Sequence, residues 1–215
     1  MRTSPNQPAI YMQYGCGLSA PDGWINFDAS PTLRLQRLPL LGKLLTTGAV
    51  RFPQNVRYGD IAKGLPIPTG SCQGVYSSHV LEHLPLEDAK AALRETFRCL
   101  APGGFFRLVL PDLELFAREY LERRHKEPAH VFMRCLQMGC ETRPRGFGAF
   151  LRNWLGNQKH LWMWDFDSLR QEMSKVGFVD IRRATMGDGG DSRFSEVEEI
   201  SRWDGYLGME ARKPT

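Results

Sequence analysis

The sequence predicts an α/β fold organised around a mainly parallel sheet, and two observations carry that prediction. Short runs of β-branched and aromatic residues alternate with stretches of helical periodicity, the order expected when helices cross between parallel strands. Glycine or aspartate also stands at the end of one predicted strand after another, where open α/β sheets bind ligands.

The first apolar run, Ala9 to Tyr14, contains Ile10, Tyr11 and Tyr14 and leads straight into Gly15-Cys16-Gly17. A second predicted strand, Trp24 to Phe27, ends at Asp28. Leu33 to Thr47 is leucine-rich, but Pro39 and Gly42 interrupt it, which predicts one short helix. Arg34, Arg37 and Lys43 give this segment a basic face, so a membrane-surface helix stands as the alternative to a helix covering the sheet. Val56 to Tyr58 reads as a brief strand followed by Asp60, and Gly74 to Ser78 as a strand flowing into a helix start at Val80 to His83.

Glu87 to Leu100 reads as a helix, because Ala89, Leu93, Phe97 and Leu100 recur at helical spacing. Pro102-Gly103-Gly104 is expected to stop it before the strongest strand, Phe105 to Leu110, which ends at Pro111-Asp112. From Phe116 to Trp164 the pattern is mixed helix and loop. Phe166, Leu169, Met173 and Val176 then mark an amphipathic helix capped by Asp165 or Asp167 and stopped by Gly177. Phe178 to Ile181 and Leu207 to Ala211 are the last predicted strands.

Length and composition bound the function. The 215 residues suit one domain, with 42% hydrophobic and 11% aromatic residues, enough to build a core. A net charge of +4 is too mild for a dedicated nucleic-acid binder. The sequence has no apolar run long enough for a transmembrane helix, and no signal peptide is expected at its start. Five scattered cysteines suggest free thiols in a reducing, cytoplasmic setting.

The predicted strand ends hold the candidate chemistry. Glycines after the first strand let a ligand approach the backbone where a Cβ would clash. A carboxylate after the second can accept both hydroxyls of a ribose, and one after the third an adenine amino group. A dinucleotide-binding fingerprint is a poor fit: Ala20 stands where its third glycine belongs, and Asp28 follows Gly17 by only eleven residues.

In this order the chain resembles a class I S-adenosylmethionine-dependent methyltransferase. The resemblance rests on Gly15-Cys16-Gly17, Gly23-Trp24-Ile25-Asn26-Phe27-Asp28, Gly59-Asp60-Ile61, and Val75 through Leu84. The run from Leu93 through Pro102-Gly103-Gly104 to Pro111-Asp112 completes it. It implies a Rossmann-like fold: seven strands, mainly parallel with the last antiparallel, plus a helical insertion after the fifth strand. One domain would span 1–215, with the insertion at 116–164. The implied cofactor is S-adenosyl-L-methionine, and the implied activity is methyl transfer to a small-molecule or glycan-like acceptor.

By the same resemblance, Asp28 would hold the ribose, and Asp60 with Ile61 the adenine. Gly15, Cys16 and Gly17 would line the methionine part, with Ser77 and Ser78 beneath the sulfonium. His79 is the first candidate general base and Asp112 the second. Glu82 and His83 are expected to fix the first turn of the next helix. Phe147, Phe150, Trp154, Trp162 and Trp164 could form an aromatic acceptor wall or the core of a helical cap.

Three departures stand out. Only Leu18 to Gly23 separate Gly17 from Trp24, too few for the usual crossover helix, so that helix is expected to be missing. Ser19 replaces a third glycine, and Gln13 replaces an acid common two positions before the first glycine. These changes make a non-catalytic binding module the alternative reading.

No metal site is expected. His125, His130, Cys135 and Cys140 recur at intervals of five, a rotation of about 140° on a helix that spreads the side chains apart. The charge is local: Arg118 to His160 holds nine Lys and Arg against four Asp and Glu, and the rest of the chain is nearly balanced. This suggests an anionic or saccharide acceptor steered to the insertion, or simply a solvated helical face.

Overall fold

Seven strands form one sheet in the computed structural model, which describes residues 9–38, 51–139, 141 and 159–215. They are β1 (Ile10–Tyr14), β2 (Ile25–Asp28), β3 (Val56–Tyr58), β4 (Cys72–Ser78), β5 (Leu100–Leu110), β6 (Val179–Ala184) and β7 (Leu207–Arg212). Their order is β3-β2-β1-β4-β5-β7-β6, with β7 antiparallel to both neighbours. The predicted class and topology hold.

Side chains alternate across the strands, and each face has its own cover. Met12 and Tyr14 of β1, Val75 of β4, Phe106 and Leu108 of β5, and Met209 of β7 belong to one buried cluster. It is closed by Ala89, Ala92 and Leu93 of α2 (Leu86–Cys99) and by Leu169 and Met173 of α5 (Phe166–Val176). Asp165 starts α5 with a reciprocal Ser168 capping box, and Gly177 ends it at a φ of 111°. Between these helices lie α3 (Leu113–Leu121) and α4 (Pro128–Cys135).

Several element boundaries differ from expectation. Pro102-Gly103-Gly104 does not separate helix from strand; β5 begins at Leu100, directly after α2. The triplet forms an irregular stretch, where pairing with β4 jumps from Leu100 to Phe105. The Gly103 N–H donates to the Lys213 carbonyl and the Lys213 N–H to the Gly104 carbonyl, so the backbone stays satisfied. The helix start at Val80 to His83 is only a 3-10 turn over Leu81–His83. The short helix α1 spans Pro31–Gln36, led by Ser30, whose side chain accepts from the Thr32 N–H; the rest of the leucine-rich segment lies outside the described residues.

The opposite face explains how the sheet manages without its first crossover helix. No helix lies between β1 and β2. The register sets Gln13 beside Asn26. Gln13 Nε2 donates to Asn26 Oδ1 at 2.7 Å and to the Ser19 carbonyl at 2.8 Å. Asn26 Nδ2 donates to the carbonyls of Pro21 and Trp24. Gln13 is therefore the internal brace of the shortened loop.

The segment between β6 and β7 covers the face itself. Phe194, Val197 and Trp203 pack on Tyr11, Trp24, Tyr76 and Val109. Polar pairs fix the docking: Trp24 Nε1 donates to Glu196, the Tyr11 hydroxyl to Asp191, and Trp203 Nε1 to the Tyr76 hydroxyl. Trp203 also lies so close to β7 that a Cβ on Gly208 would come within 2.3 Å of its ring, a contact that only glycine admits.

Arg107, in the middle of β5, anchors this segment and is fully buried. Its guanidinium contacts Glu198, Asp188 at 3.0 Å, Glu210 at 3.3 Å and the Thr185 carbonyl at 2.6 Å, and lies 4.5 Å from the Trp203 ring centre. Glu198 and Glu210 also accept from the backbone N–H groups of Gly187 and Gly190. A buried charge is tolerated when paired and hydrogen-bonded throughout, and costly when one partner is removed.

Arg107→Met should therefore lose about 3–5 kcal/mol of stability in urea unfolding, with part regained when Glu198 and Glu210 are also made apolar. A loss below about 1 kcal/mol would show that the network does not hold the segment. Burial raises the Asp188 carboxyl, but Arg182, the Thr185 N–H and Arg107 outweigh it and hold it at about 2. Its depressed value means that its stabilisation is complete above about pH 4 and lost as pH falls through about 2. Asp188→Asn should flatten the acid limb of the stability–pH curve.

Candidate active site

The carboxyl ends of β1, β2, β3, β4 and β5 carry most of the residues singled out from the sequence. Gly15 and Gly17 bend the chain after β1 with φ of 67° and 56°. A Cβ on Gly15 would fall 2.1 Å from Val80 Cγ2, so this loop touches the segment after β4 only because position 15 is glycine. Asp28, largely buried at the end of β2, accepts from the Gly17 N–H at 3.0 Å and the Ser30 N–H at 2.7 Å. Its carboxylate is thereby aimed and keeps lone pairs for further donors. Asp60, after β3, accepts from the Ala62 N–H and from Lys63 Nζ.

Other residues turn away from this edge. The Cys16 side chain is buried with Leu33 and Val56, and burial followed by the nearby Asp28 charge pushes its thiol up to about 12. Cys16 offers the edge only backbone. Ile61 is buried in the main core beside Phe27 and Leu65. Ser77 is buried, whereas Ser78 accepts from Arg202 at 3.4 Å.

His79 holds a left-handed φ of 53°, rare for a residue with a Cβ. Its N–H donates to the Val109 carbonyl. Its Nε2 lies 3.1 Å from the Arg202 carbonyl and its Nδ1 3.2 Å from Glu82 Oε1, with the Tyr206 ring edge-on. Both ring nitrogens face acceptors. Asp112 is equally committed: Oδ1 caps α3 through the Glu114 and Leu115 N–H groups, and Oδ2 meets Arg183 at 3.3 Å.

Arg202 also reaches this edge, and sequence reasoning did not single it out. It projects from α6 (Ile200–Trp203) in the β6–β7 segment, and its guanidinium lies 3.5 Å from where a Cβ on Gly17 would sit. No motif marks it, because its position depends on how the distant segment docks. Glu82 and His83 also depart from expectation. Neither side chain caps a helix end; both converge with His160.

Trp164 is buried in the main core, so it forms no acceptor wall, and Trp162 is partly exposed beside it. Phe147, Phe150, Trp154 and Cys140 lie outside the described residues. His125 and His130 pair with Glu119 and Glu127. A surface cleft of about 560 Å³ between α3 and α4, lined by Tyr120, Leu121 and His130 among others, shares no residue with the strand-end set. Among the described residues, no helix is long and apolar enough to cross a membrane.

The family model of the methyltransferase domain matches residues 27–108, from the end of β2 into β5. None of the curated proteins matches the chain by sequence. Among solved structures, a S-adenosylmethionine-dependent methyltransferase from Thermotoga maritima is 16% identical, with 97% of this chain and 84% of that one covered and a TM-score of 0.52. One from Archaeoglobus fulgidus is 14% identical, with coverage of 95% and 86% and a TM-score of 0.52. Phosphoethanolamine N-methyltransferase 2 of Haemonchus contortus, solved with phosphomonomethylethanolamine and S-adenosylhomocysteine, is 13% identical, with coverage of 98% and 50% and a TM-score of 0.50. At these identities the structural likeness establishes the shared fold. The family segment runs through the strands that carry Asp28, Asp60 and Ser78, and the sheet has the fold of the class I S-adenosylmethionine-dependent methyltransferases.

Proposed function

We propose that the chain transfers the methyl group of S-adenosylmethionine to a small, anionic or saccharide-like acceptor, with the cofactor lying across the ends of β1 to β4. One observation carries this reading: the braced Asp28 carboxylate, the two left-handed glycines and the Arg202 guanidinium surround the same loop. Asp28 accepts the ribose hydroxyls through its remaining lone pairs. Asp60 and the backbone at Ile61 take the adenine edge. The Gly15–Gly17 backbone and Ser78 line the methionine part, whose carboxylate pairs with Arg202.

Methyl transfer from a sulfonium is an in-line displacement, so the protein contributes alignment and exclusion of water. His79 acts here as a positioning group: its Nε2 is held by the Arg202 carbonyl and its Nδ1 is turned toward the buried Glu82 carboxylate. Asp112 serves α3 and Arg183 in the same way. The insertion's nine basic residues against four acidic ones favour an anionic acceptor.

Calorimetry with S-adenosylhomocysteine tests the cofactor reading. Wild type should bind it, folded Asp28→Ala should lose binding, and Arg202→Met should weaken it about ten-fold. Absence of binding by wild type contradicts the proposal. Once an acceptor is found by scoring S-adenosylhomocysteine release, converting Arg143, Arg145 and Arg152 to Gln should raise its KM and leave cofactor affinity unchanged. An unchanged KM rejects steering by the insertion.

A further inference from the structure

Glu82 is fully buried on the 3-10 turn that follows β4, and neither of its carboxylate oxygens has a hydrogen-bond donor among the described residues. His79 Nδ1 approaches Oε1 to 3.2 Å without the alignment of a hydrogen bond. A carboxylate removed from water and left unpartnered costs several kcal/mol, and such a group calls for an explanation. Its surroundings provide one. One ligand-type atom from each of Glu82, His83 and His160 lies within 4.8 Å of the other two.

The imidazoles are prepared in the same manner. His83 Nδ1 is 3.1 Å from the Lys159 carbonyl, which fixes the proton on Nδ1 and leaves the Nε2 lone pair free. His160 Nδ1 is buried without a partner. Metal-bound histidines show the arrangement of His83, one ring nitrogen donating to a carbonyl that orients the other. Burial favours the neutral form of His160, the form that ligates. The backbone holds the two segments together: the Glu82 carbonyl accepts from the N–H groups of Leu161 at 2.7 Å and Trp162 at 3.2 Å.

We propose that Glu82, His83 and His160 bind one divalent first-row transition-metal ion. Two imidazoles and a carboxylate suit such an ion, and three protein ligands leave a coordination position open. On the methyltransferase reading, an ion held here, with His79 Nδ1 3.2 Å from Glu82 Oε1, would supply Lewis-acid polarisation of an acceptor oxygen.

The test uses tag-free protein stripped with chelator and titrated with Zn²⁺ and Mn²⁺ by calorimetry, with Co²⁺ absorption as the report on ligand set. Wild type should bind one equivalent, gain thermal stability and give a Co²⁺ spectrum of nitrogen and oxygen ligation. His83→Ala and His160→Gln, shown to be folded by circular dichroism, should each lose that equivalent. No stoichiometric binding by wild type, or binding that persists in both variants, overturns the site. S-adenosylhomocysteine titrated into the same samples reports the cofactor reading separately, so either can fail alone.

Discussion

The fully buried Arg107 guanidinium is the contact on which the rest of this molecule depends. It stands on a sheet face otherwise built from aromatic and aliphatic side chains, where a charge is tolerable only if it is paired and hydrogen-bonded. Glu198, Asp188, Glu210 and the Thr185 carbonyl engage all three of its nitrogens, and three of these four groups belong to the segment between β6 and β7. Satisfying one arginine thus fixes about twenty residues of irregular chain against the sheet.

That clamp links the unusual features of the fold. The first crossover has too few residues for a helix, which would leave Tyr11, Trp24 and Tyr76 uncovered. The β6–β7 segment supplies Phe194, Val197 and Trp203 instead. Gln13, which looks from the sequence like a loss at the ligand edge, is the brace that holds the short loop in shape. The same segment carries Arg202 to Gly17 and Ser78. One compensation for a missing helix therefore also delivers a cation to the carboxyl edge of the sheet, where the cofactor is proposed to lie.

The sheet was legible in the sequence because strand and helix periods are local, and because glycine and aspartate mark the ends of β1, β2 and β3. The Asp165 cap and the Gly177 stop were legible for the same reason. What could not be read is non-local. Arg107 in Phe105 to Leu110 breaks an apolar run, yet its acidic partners lie at positions 188, 198 and 210, fixed only by docking. His160 meets Glu82 from the far end of the insertion, so no spacing rule joins them. Pro102-Gly103-Gly104 misled because an irregular strand start and a break use the same residues.

The central claim is that the β6–β7 segment is both the cover of the sheet and a wall of the cofactor site. Hydrogen exchange with and without S-adenosylhomocysteine tests it most directly. The account predicts that the ligand slows exchange in two separate stretches, residues 15–19 after β1 and residues 199–206 around Arg202. Protection confined to the first stretch, with 199–206 unchanged, would contradict it.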